Sequence, residues 1–488
     1  MASAKRTKGQ PKLLPKSPTG ISGLDEITGG GLPKGRPTLI AGSAGCGKTL
    51  FAMEFLVNGA GQYDEPGVFV AFEESAKELA ENVASLGFDL KELEKKKKLI
   101  VDHVQVERSE IEETGEYDLD GLFIRLGYAI DKIGAKRVVL DTLEVLFSSL
   151  TNESILRSEL RRLFRWLKNK GVTAVVTAER GEGTMTRFGL EEYVADCVIV
   201  LDHRVTEQIS TRRLRIVKYR GSLHGTNEYP FLIGKNGISV LPITSLGLSH
   251  SAAKTRVSSG IKELDNMLDG KGFYRGSSIL ISGTAGTGKT SLSASFVDAA
   301  CRRGERCLYF AFEESPSQIL RNMASIGIDL APHLKNGQMQ FHATRPTLYG
   351  LEMHLVTMYD TVKEFEPSVV ILDPIDDFIA IGSQAEIKSA MTRIIDFLKI
   401  GHITAMFTTT VPGNETASQA IMSVSSLIDT WISLRNLENN GERHRGLFVM
   451  KSRGMAHSNQ IRAFHLTDHG IEIGHMDFAR RHNGSSQS

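Results

Sequence analysis

The sequence contains two copies of one pattern, and this internal repeat constrains the fold more than any other feature. The Gly-rich segment Gly42–Thr49 (GSAGCGKT) returns 241 residues later as Gly283–Thr290 (GTAGTGKT). The tetrapeptide FEES begins at Phe72 and again at Phe312, an offset of 240 residues. These marks keep their order and spacing over about 230 residues, which is far longer than a solenoid unit. They therefore predict two tandem copies of one domain, joined near the Ser/Ala/Gly-rich stretch Leu246–Thr255.

Short apolar runs alternate with helix-like segments in each copy. Strands are predicted at 37–41, 68–72, 137–141 and 173–177, and again at 278–282, 307–312, 369–373 and 404–408. Strands separated by helices predict mostly parallel sheets covered on both faces, which is an α/β fold. The predicted layout is a disordered basic tail at 1–13, domains at 14–247 and 248–474, and a short disordered tail at 475–488.

Each copy carries the pattern GxxxxGK[ST] between a predicted strand and a predicted helix. The glycines permit a left-handed backbone, so that successive N–H groups can point at phosphate oxygens near a helix N-terminus. The lysine of this pattern reaches the β- and γ-phosphates and the hydroxyl binds Mg²⁺, so ATP and Mg²⁺ are the predicted ligands. Cys46 in the first loop is either a small tolerated residue or a redox switch. The predicted ATP-binding loop residues are Gly42, Gly45, Cys46, Gly47, Lys48, Thr49, Leu50, Gly283, Gly286, Thr287, Gly288, Lys289, Thr290 and Ser291.

Acidic residues follow neighbouring predicted strands in both copies. Asp141 and Asp373 each end an apolar strand, as does the Walker B carboxylate that orients a Mg²⁺-bound water. The glutamates of FEES follow another strand, and the carboxyl ends of parallel strands meet at one edge. A carboxylate at that edge can accept the proton of an attacking water or hydroxyl. The predicted catalytic residues are Glu73, Glu74, Glu313 and Glu314, with the first of each pair favoured, and the predicted metal ligands are Thr49, Thr290 and Glu313.

The doubled loops and doubled FEES, with KYRGSLH from Lys218 and KSRGMAH from Lys451, resemble the KaiC family of circadian-clock ATPases and autokinases. The resemblance covers roughly residues 14–474 and implies two tandem RecA-like P-loop NTPase domains. It also implies a homohexamer of two stacked rings with ATP between neighbouring subunits. The cations implied to reach a neighbour's ATP are Lys218, Arg220 and His224 in the first ring and Lys451, Arg453 and His457 in the second, with Arg212 and Arg445 as further phosphate contacts.

The same resemblance points to a phosphorylation site in the second domain. The family phosphorylates two adjacent hydroxyl residues just before an Asp-Thr pair, and here Ser425 and Ser426 precede Asp429-Thr430. The alternative is that the two serines simply open a strand at 427–434. The first copy has Val194-Ala195-Asp196 in the equivalent place, with no hydroxyl pair. The resemblance therefore implies ATP hydrolysis in the first domain and autophosphorylation of Ser425 or Ser426 in the second.

Two other functions on the same fold stay open, because a fold alone does not determine activity. One is a DNA-dependent motor or recombination ATPase, and the other is a nucleotide-gated scaffold that barely turns over. The net charge of +1 and the short, half-acidic segment Arg180–Arg187 argue against nucleic acid. Four cysteines without metal-ligand spacing, and no apolar run near the ~20 residues of a membrane helix, favour a cytoplasmic location without membrane association.

The final segment, His475–Ser488, is short and polar, whereas the clock proteins continue into a tail that docks KaiA. Such a segment cannot offset an ordering cost of about 1–2 kcal/mol per residue, so it is expected to be disordered. We therefore expect autophosphorylation to proceed without a KaiA-like activator, while a KaiB-like protein on the first ring remains a candidate partner.

Overall fold

A computed structural model of the chain describes residues 14–104, 119–147, 153–181, 194–206, 209–235, 237–242, 253–345, 350–379, 384–411, 425–439 and 442–476. The chain divides into two compact units, Met1–Ser245 and Leu246–Ser488. Each unit contains one copy of the repeat.

The first unit is built on one large sheet with a small two-stranded sheet beside it. Its strands are β1 (Lys16–Ser17), β2 (Leu32–Pro33), β3 (Pro37–Gly42), β4 (Gly67–Ala71), β5 (Leu99–His103), β6 (Arg137–Asp141), β7 (Thr173–Glu179), β8 (Cys197–Thr206), β9 (Ile209–Tyr219), β10 (Glu228–Gly234) and β11 (Gly237–Val240). Its helices span Leu24–Thr28, Lys48–Gln62, Ala76–Ala84, Leu90–Lys95, Asp120–Ile133, Glu144–Phe147 and Glu153–Asn169.

The second unit repeats this arrangement. Its strands are β12 (Arg256–Val257), β13 (Phe273–Tyr274), β14 (Ser278–Gly283), β15 (Cys307–Ala311), β16 (Met339–Ala343), β17 (Val369–Asp373), β18 (Thr404–Thr410), β19 (Thr430–Asn439), β20 (Glu442–Ser452), β21 (Arg462–Thr467) and β22 (Gly470–His475). Its helices span Lys262–Met267, Lys289–Arg302, Pro316–Ala324, Ala331–Lys335, Leu351–Phe365, Asp376–Ile379 and Gln384–Ile400.

Among the described residues, nine strands form each large sheet, in the order β11-β10-β9-β8-β3-β7-β6-β4-β5 and its counterpart β16-β15-β17-β18-β14-β19-β20-β21-β22. In the first sheet, the six neighbouring strands β5, β4, β6, β7, β3 and β8 pair in parallel. The strands β9, β10 and β11 extend that sheet in antiparallel fashion. The strand that leads into the Gly-rich loop, β3 or β14, therefore lies inside the sheet with parallel neighbours on both sides.

The central strands are apolar along their whole length because helices cover both faces of the sheet. Every residue of β3 is buried, and its neighbouring side chains alternate between two cores. Ile40 packs with residues of the helix Lys48–Gln62, whereas Leu39 packs with residues of Glu153–Asn169 on the other face. The predicted fold class, two tandem RecA-like domains with mostly parallel sheets, is confirmed.

The predicted central strands are all present, with ends that shift by one or two residues. The alternative interpretation of Ser425 and Ser426, that they open a strand at 427–434, is wrong. The strand β19 begins at Thr430, so both serines, called the acceptor segment below, precede it. The strand pattern did not predict the parallel strands β5, β8 and β16 or the antiparallel extension, β9 to β11 and β20 to β22. The tail predicted at 1–13 lies outside the described residues, as do residues 477–488. The tail predicted at 475–488 starts one residue too early, because His475 ends β22 and pairs with Arg462.

Candidate functional site

The two Gly-rich loops have the same backbone form. Gly45 and Gly47 adopt left-handed φ angles of 72° and 108°, as Gly286 and Gly288 do at 75° and 100°. These values strain residues that carry a Cβ, which explains why glycine stands there. In each copy the loop lies between the end of β3 or β14 and the first turn of the helix that follows, where unpaired N–H groups favour an anion.

The loop lysines lie folded over their own loops. The Nζ atom of Lys48 donates to the carbonyls of Gly42 at 2.9 Å and Ser43 at 3.0 Å. The Nζ atom of Lys289 donates to the carbonyls of Gly283 at 2.9 Å and Thr284 at 3.1 Å. Burial lowers the pKa of the Lys289 ammonium. An ammonium held over a Gly-rich loop at a helix N-terminus is suited to a polyphosphate, so the geometry fits a nucleoside triphosphate.

Asp141 ends β6 beside the first loop and is held by two hydroxyls. Thr49 Oγ1 donates to Asp141 Oδ2 at 2.9 Å, and Thr177 Oγ1 donates to Oδ1 at 2.6 Å. Burial raises the pKa of the Asp141 carboxyl. Among the described residues, no group of three His, Cys, Asp or Glu side chains could hold a metal alone. A hydroxyl and a carboxylate beside a phosphate loop are instead the donor set of Mg²⁺ bound together with phosphates, so these residues fit that ion.

Asp373, the counterpart in β17, has a different pair of donors. Thr408 Oγ1 donates to Asp373 Oδ1, as Thr177 does to Asp141 in the first copy. The other oxygen, Oδ2, accepts a 2.5 Å hydrogen bond from the phenol of Tyr309. The sequence pattern did not predict a role for Thr177, Thr408 or Tyr309. Thr177 and Thr408 could have been found, because each is the fifth residue of its strand, β7 or β18.

The FEES segment divides into a helix cap and two acidic residues with different surroundings. Ser75 and Ser315 cap the helices Ala76–Ala84 and Pro316–Ala324 through capping boxes. In both copies the second glutamate accepts a hydrogen bond from an asparagine of that helix: Asn82 to Glu74 at 3.4 Å, and Asn322 to Glu314 at 3.2 Å.

The first glutamate of each segment, Glu73 or Glu313, is exposed. It follows a strand whose last residue pairs in register with the Walker B aspartate, Ala71 with Asp141 and Ala311 with Asp373. The two carboxylates therefore stand at the same edge of the sheet as the loop. The choice of the first glutamate as the proton acceptor stays a prediction.

The predicted cations fall into two groups at opposite ends of the loop strand. Arg445 lies on the loop side, where its Nε atom donates to the Gly286 carbonyl at 3.3 Å. Lys451 pairs with Trp431, which pairs with Leu280, three residues before Gly283 at the loop end of β14. At about 3.3 Å per residue, Lys451 therefore lies about 10 Å along the strand from its own loop.

The first copy shows the same division. Arg212 pairs with His203, beyond Leu201, which is level with Gly42 at the loop end of β3. Lys218 pairs with Val198, which pairs with Leu39, three residues before Gly42. Arg220 and His224 come after the end of β9, farther still from the loop. The more distant cations of either copy are therefore poorly placed for the nucleotide of their own domain.

The distant cations of the second domain contact the predicted acceptor segment instead. Lys451 Nζ donates to the carbonyl of Ser425 at 2.7 Å, and Arg453 Nη2 donates to the carbonyl of Ser426 at 2.6 Å. Burial lowers the pKa of Lys451. Ser426 is exposed and Ser425 is half-buried. His457, the third cation of this set, is half-buried in the turn that follows β20.

An ion pair fixes the residues immediately after the acceptor serines. Asp429 accepts from Lys399 Nζ at 2.8 Å and from the backbone N–H and hydroxyl of Ser278, both at 2.9 Å. Burial alone would raise the pKa of Asp429, but these hydrogen bonds outweigh it and hold the pKa below its usual range. Asp196 makes the matching pair with Lys168 at 2.7 Å in the first copy. Residues 192 and 193, which stand where the serines stand, lie outside the described residues.

Three minor sequence features have a structural context. Cys46 is fully buried, and burial raises the pKa of its thiol, so the structure gives it no thiolate character. Most of 180–187, the candidate nucleic-acid loop, lies outside the described residues, and Arg180 pairs with Asp202 at 3.7 Å. Across the part of the chain that the structure describes, each helix is too short or too polar to cross a lipid bilayer.

Comparison with known proteins gives a consistent match along nearly the whole chain. A family model described as the ATPase KaiC matches residues 17–245 and, a second time, residues 257–477. The circadian clock protein KaiC2 of Synechocystis sp. is 60% identical over 462 residues, which is 94% of this chain and 81% of that protein. The circadian clock protein KaiC3 of the same organism is 40% identical over 468 residues, 94% of this chain and 92% of that protein. The circadian clock oscillator protein KaiC of Parathermosynechococcus lividus is 38% identical over 465 residues, 94% of this chain and 85% of that protein.

Proposed function

Since this chain belongs to the KaiC family of ATPases, we propose that it hydrolyses ATP in its first domain and phosphorylates its own Ser425 or Ser426 in its second. We further propose that it works as a ring, a homohexamer of two tiers, in which each ATP lies between two subunits. A KaiB-like protein acting on the first ring, and a cytoplasmic location, belong to the same proposal.

One observation carries the kinase proposal: the contacts of Lys451 and Arg453 with the carbonyls of Ser425 and Ser426. These cations lie too far along the sheet to serve the loop of their own domain, so phosphates that they bind belong to another subunit. A γ-phosphate held by them would lie beside the two serines. The acceptor and the nucleotide would thus come from different chains, with the cations positioning one against the other.

In the first domain, we propose that Glu73 accepts a proton from water as its oxygen attacks the γ-phosphorus of ATP. The bond from that phosphorus to the β–γ bridging oxygen breaks, and ADP and inorganic phosphate leave. Lys48 would stabilise the charge on the β- and γ-phosphates, and Lys218, Arg220 and His224 of a neighbouring subunit would offset charge that develops in the transition state. Arg212 would add a cation on the loop side.

In the second domain, a serine hydroxyl replaces the water. The Ser425 or Ser426 Oγ atom would attack the γ-phosphorus, ADP would leave, and Glu313 would accept the hydroxyl proton. A hydroxyl is a weak nucleophile at its ordinary pKa, so a nearby base is needed. Because Asp196 corresponds to Asp429, Ser425 and Ser426 correspond to Glu192 and Tyr193 and not to Val194-Ala195-Asp196. The first copy has no pair of serine or threonine hydroxyls there, which is why hydrolysis is proposed for it.

Mg²⁺ bound with ATP would neutralise phosphate charge, and the residues that would hold it are Thr49 with Asp141 and Thr290 with Asp373 and Glu313. The other residues of the two loops, including Leu50 and Ser291 at the helix starts, would contribute backbone N–H groups to the phosphates.

The direct test is incubation with Mg²⁺ and ATP followed by phosphopeptide mapping by mass spectrometry. We expect phosphate on Ser425 or Ser426, and its loss in the double variant Ser425→Ala, Ser426→Ala. Glu313→Gln should suppress labelling, whereas Glu73→Gln, the matched change in the first domain, should leave most of it. Label confined to other residues, or none at all, would remove the kinase function and leave an ATPase.

A mixing experiment tests transfer between subunits. A variant without the loop lysine, Lys289→Ala, and a variant without the distant cations, Lys451→Ala with Arg453→Ala, should each label poorly. In mixed rings, some interfaces would combine an intact Lys289 from one chain with intact Lys451 and Arg453 from the other, so labelling should recover. Because the serines lie beside the cations of their own chain, the phosphate should appear on the Lys289→Ala chain, identified by a mass tag. Label on the other chain, or no recovery, would contradict transfer between subunits.

A further inference from the structure

The two Walker B aspartates differ in one hydrogen-bond donor, although the strands that flank them pair in the same register. Tyr309 stands on β15 where Phe69 stands on β4, and each is two residues before the alanine that pairs with the aspartate. Both rings are completely buried. Only the tyrosine carries a hydroxyl, and that hydroxyl donates to Asp373 Oδ2 at 2.5 Å.

The oxygen that Tyr309 holds is the counterpart of the one that contacts the loop threonine in the first domain. There, Asp141 Oδ2 accepts from Thr49, while Oδ1 accepts from the strand hydroxyl of Thr177. In the second domain the strand hydroxyl of Thr408 keeps its place at Oδ1, and Tyr309 is the donor at Oδ2. The phenol thus donates to the oxygen that corresponds to the one that accepts from the loop threonine in the first domain.

The phenol is a permanent donor in this setting. Tyr309 is completely buried, and its hydroxyl is the donor in the hydrogen bond with Asp373 Oδ2. The side chain is also held in place, because its ring packs against Phe341 with a centroid separation of 5.2 Å. A short hydrogen bond from a fixed, neutral donor draws electron density from the carboxylate and limits its rotation.

We propose that Tyr309 is a positioning residue that restrains Asp373, so that the second domain binds Mg²⁺ together with ATP more weakly than the first. The inference rests on the proposed assignment of Asp373 and Thr290 to Mg²⁺. Its consequence is that, as the concentration of free Mg²⁺ rises, the metal site of the hydrolytic first domain is occupied before that of the phosphorylating second domain. The ratio of the two activities would then depend on the concentration of free Mg²⁺.

The test measures binding and needs no turnover. The full-length protein is saturated with a non-hydrolysable ATP analogue and titrated with Mn²⁺, and bound Mn²⁺ is counted by electron paramagnetic resonance. We expect two classes of site per chain, with Kd values that differ by about fivefold, the effect of roughly 1 kcal/mol from one hydrogen bond. Trp431, whose indole donates to Ser282 at 2.8 Å beside the loop, reports by fluorescence which class belongs to the second domain, in a Trp166→Phe background.

Two reciprocal variants give opposite expectations. Tyr309→Phe should tighten the weak class until the two classes merge, and Phe69→Tyr should weaken the tight class by about the same factor. The proposal is overturned if Tyr309→Phe leaves the weak class unchanged or weakens it, or if Phe69→Tyr has no effect. If Tyr309→Phe merges the two classes but the wild-type protein never phosphorylates its serines, the kinase function fails and this inference stands.

Discussion

Replacing Arg137 by methionine should destabilise the first domain selectively. Arg137 is fully buried at the start of β6. Its Nε donates to Glu65, its Nη1 to the Phe55 carbonyl and its Nη2 to the Pro18 carbonyl, each at 2.7 Å. The guanidinium also lies 4.4 Å from the centroid of the Phe55 ring. One side chain therefore joins the N-terminal segment, the helix after the phosphate loop and the start of the central strand β6.

The size of the effect follows from these contacts. Methionine keeps the aliphatic volume but removes the guanidinium from two backbone carbonyls and from the largely buried Glu65 carboxylate, which keeps only the exposed Lys34 and the Ser17 hydroxyl as donors. Removing one partner of a buried ion pair costs about 3–5 kcal/mol, because the remaining charge stays buried. For a domain of this size a loss of 1 kcal/mol lowers the midpoint by about 2–4 °C, so we expect a fall of about 10 °C.

Thermal unfolding of the first domain can be followed by the fluorescence of Trp166, which stacks on Phe123 at 5.1 Å, in a Trp431→Phe background. The control is Arg306→Met in the second domain, where an exposed arginine lies 4.1 Å from the Phe365 ring centroid and should change stability by less than about 1 kcal/mol. Adding Glu65→Gln to Arg137→Met should restore part of the loss. A fall below about 1 kcal/mol for Arg137→Met would refute the reasoning, because the buried pair would then contribute little.

Three further predictions concern the sites. Lys48→Ala should abolish most first-domain ATP hydrolysis, since its ammonium is the cation on the loop; phosphate release at the wild-type rate would contradict this. Glu73→Gln should slow hydrolysis by about 10²-fold or more while equilibrium dialysis shows unchanged ATP affinity, and lost affinity would make Glu73 structural instead. Asp429→Asn should lower the stability of the second domain at neutral pH. The pKa of Asp429 is held low in the folded state, so its contribution is complete above about pH 4 and disappears as the pH falls through the folded pKa. Denaturant unfolding should therefore show the gap between wild type and variant closing in acid, and a gap that widens would exclude the assigned ion pair.

Much of the architecture could be predicted from the sequence because its marks are local. A phosphate loop is one contiguous segment, and a buried parallel strand is a continuous apolar run, so β3, β6 and their counterparts were placed within a residue or two. The duplication helped further, because a feature seen twice at one offset is seldom a coincidence.

The remaining features depend on strand register, which a single sequence does not encode locally. Tyr309 meets Asp373 only because β15 and β17 pair in one particular register, and the strand pattern treats it as one more apolar residue. The separation of Arg445 from Lys451 likewise depends on the antiparallel pairing of β19 with β20. The basic strand β20 showed no apolar pattern from which that pairing could be inferred.

The order of strands in the sheet also governs when this protein can first use its ligand during synthesis. Gly42 is paired on one side with Glu179 and on the other with Leu201. A ribosome adding about 5–20 residues per second needs roughly 8–30 s to go from Gly42 to Leu201, and until then the loop strand lacks β8 as its second neighbour. Leu201 nevertheless precedes Gly283, so the loop strand of the first domain can acquire both of its neighbours before the second loop has been translated. The tandem arrangement thereby divides the folding of a 488-residue chain into two successive steps.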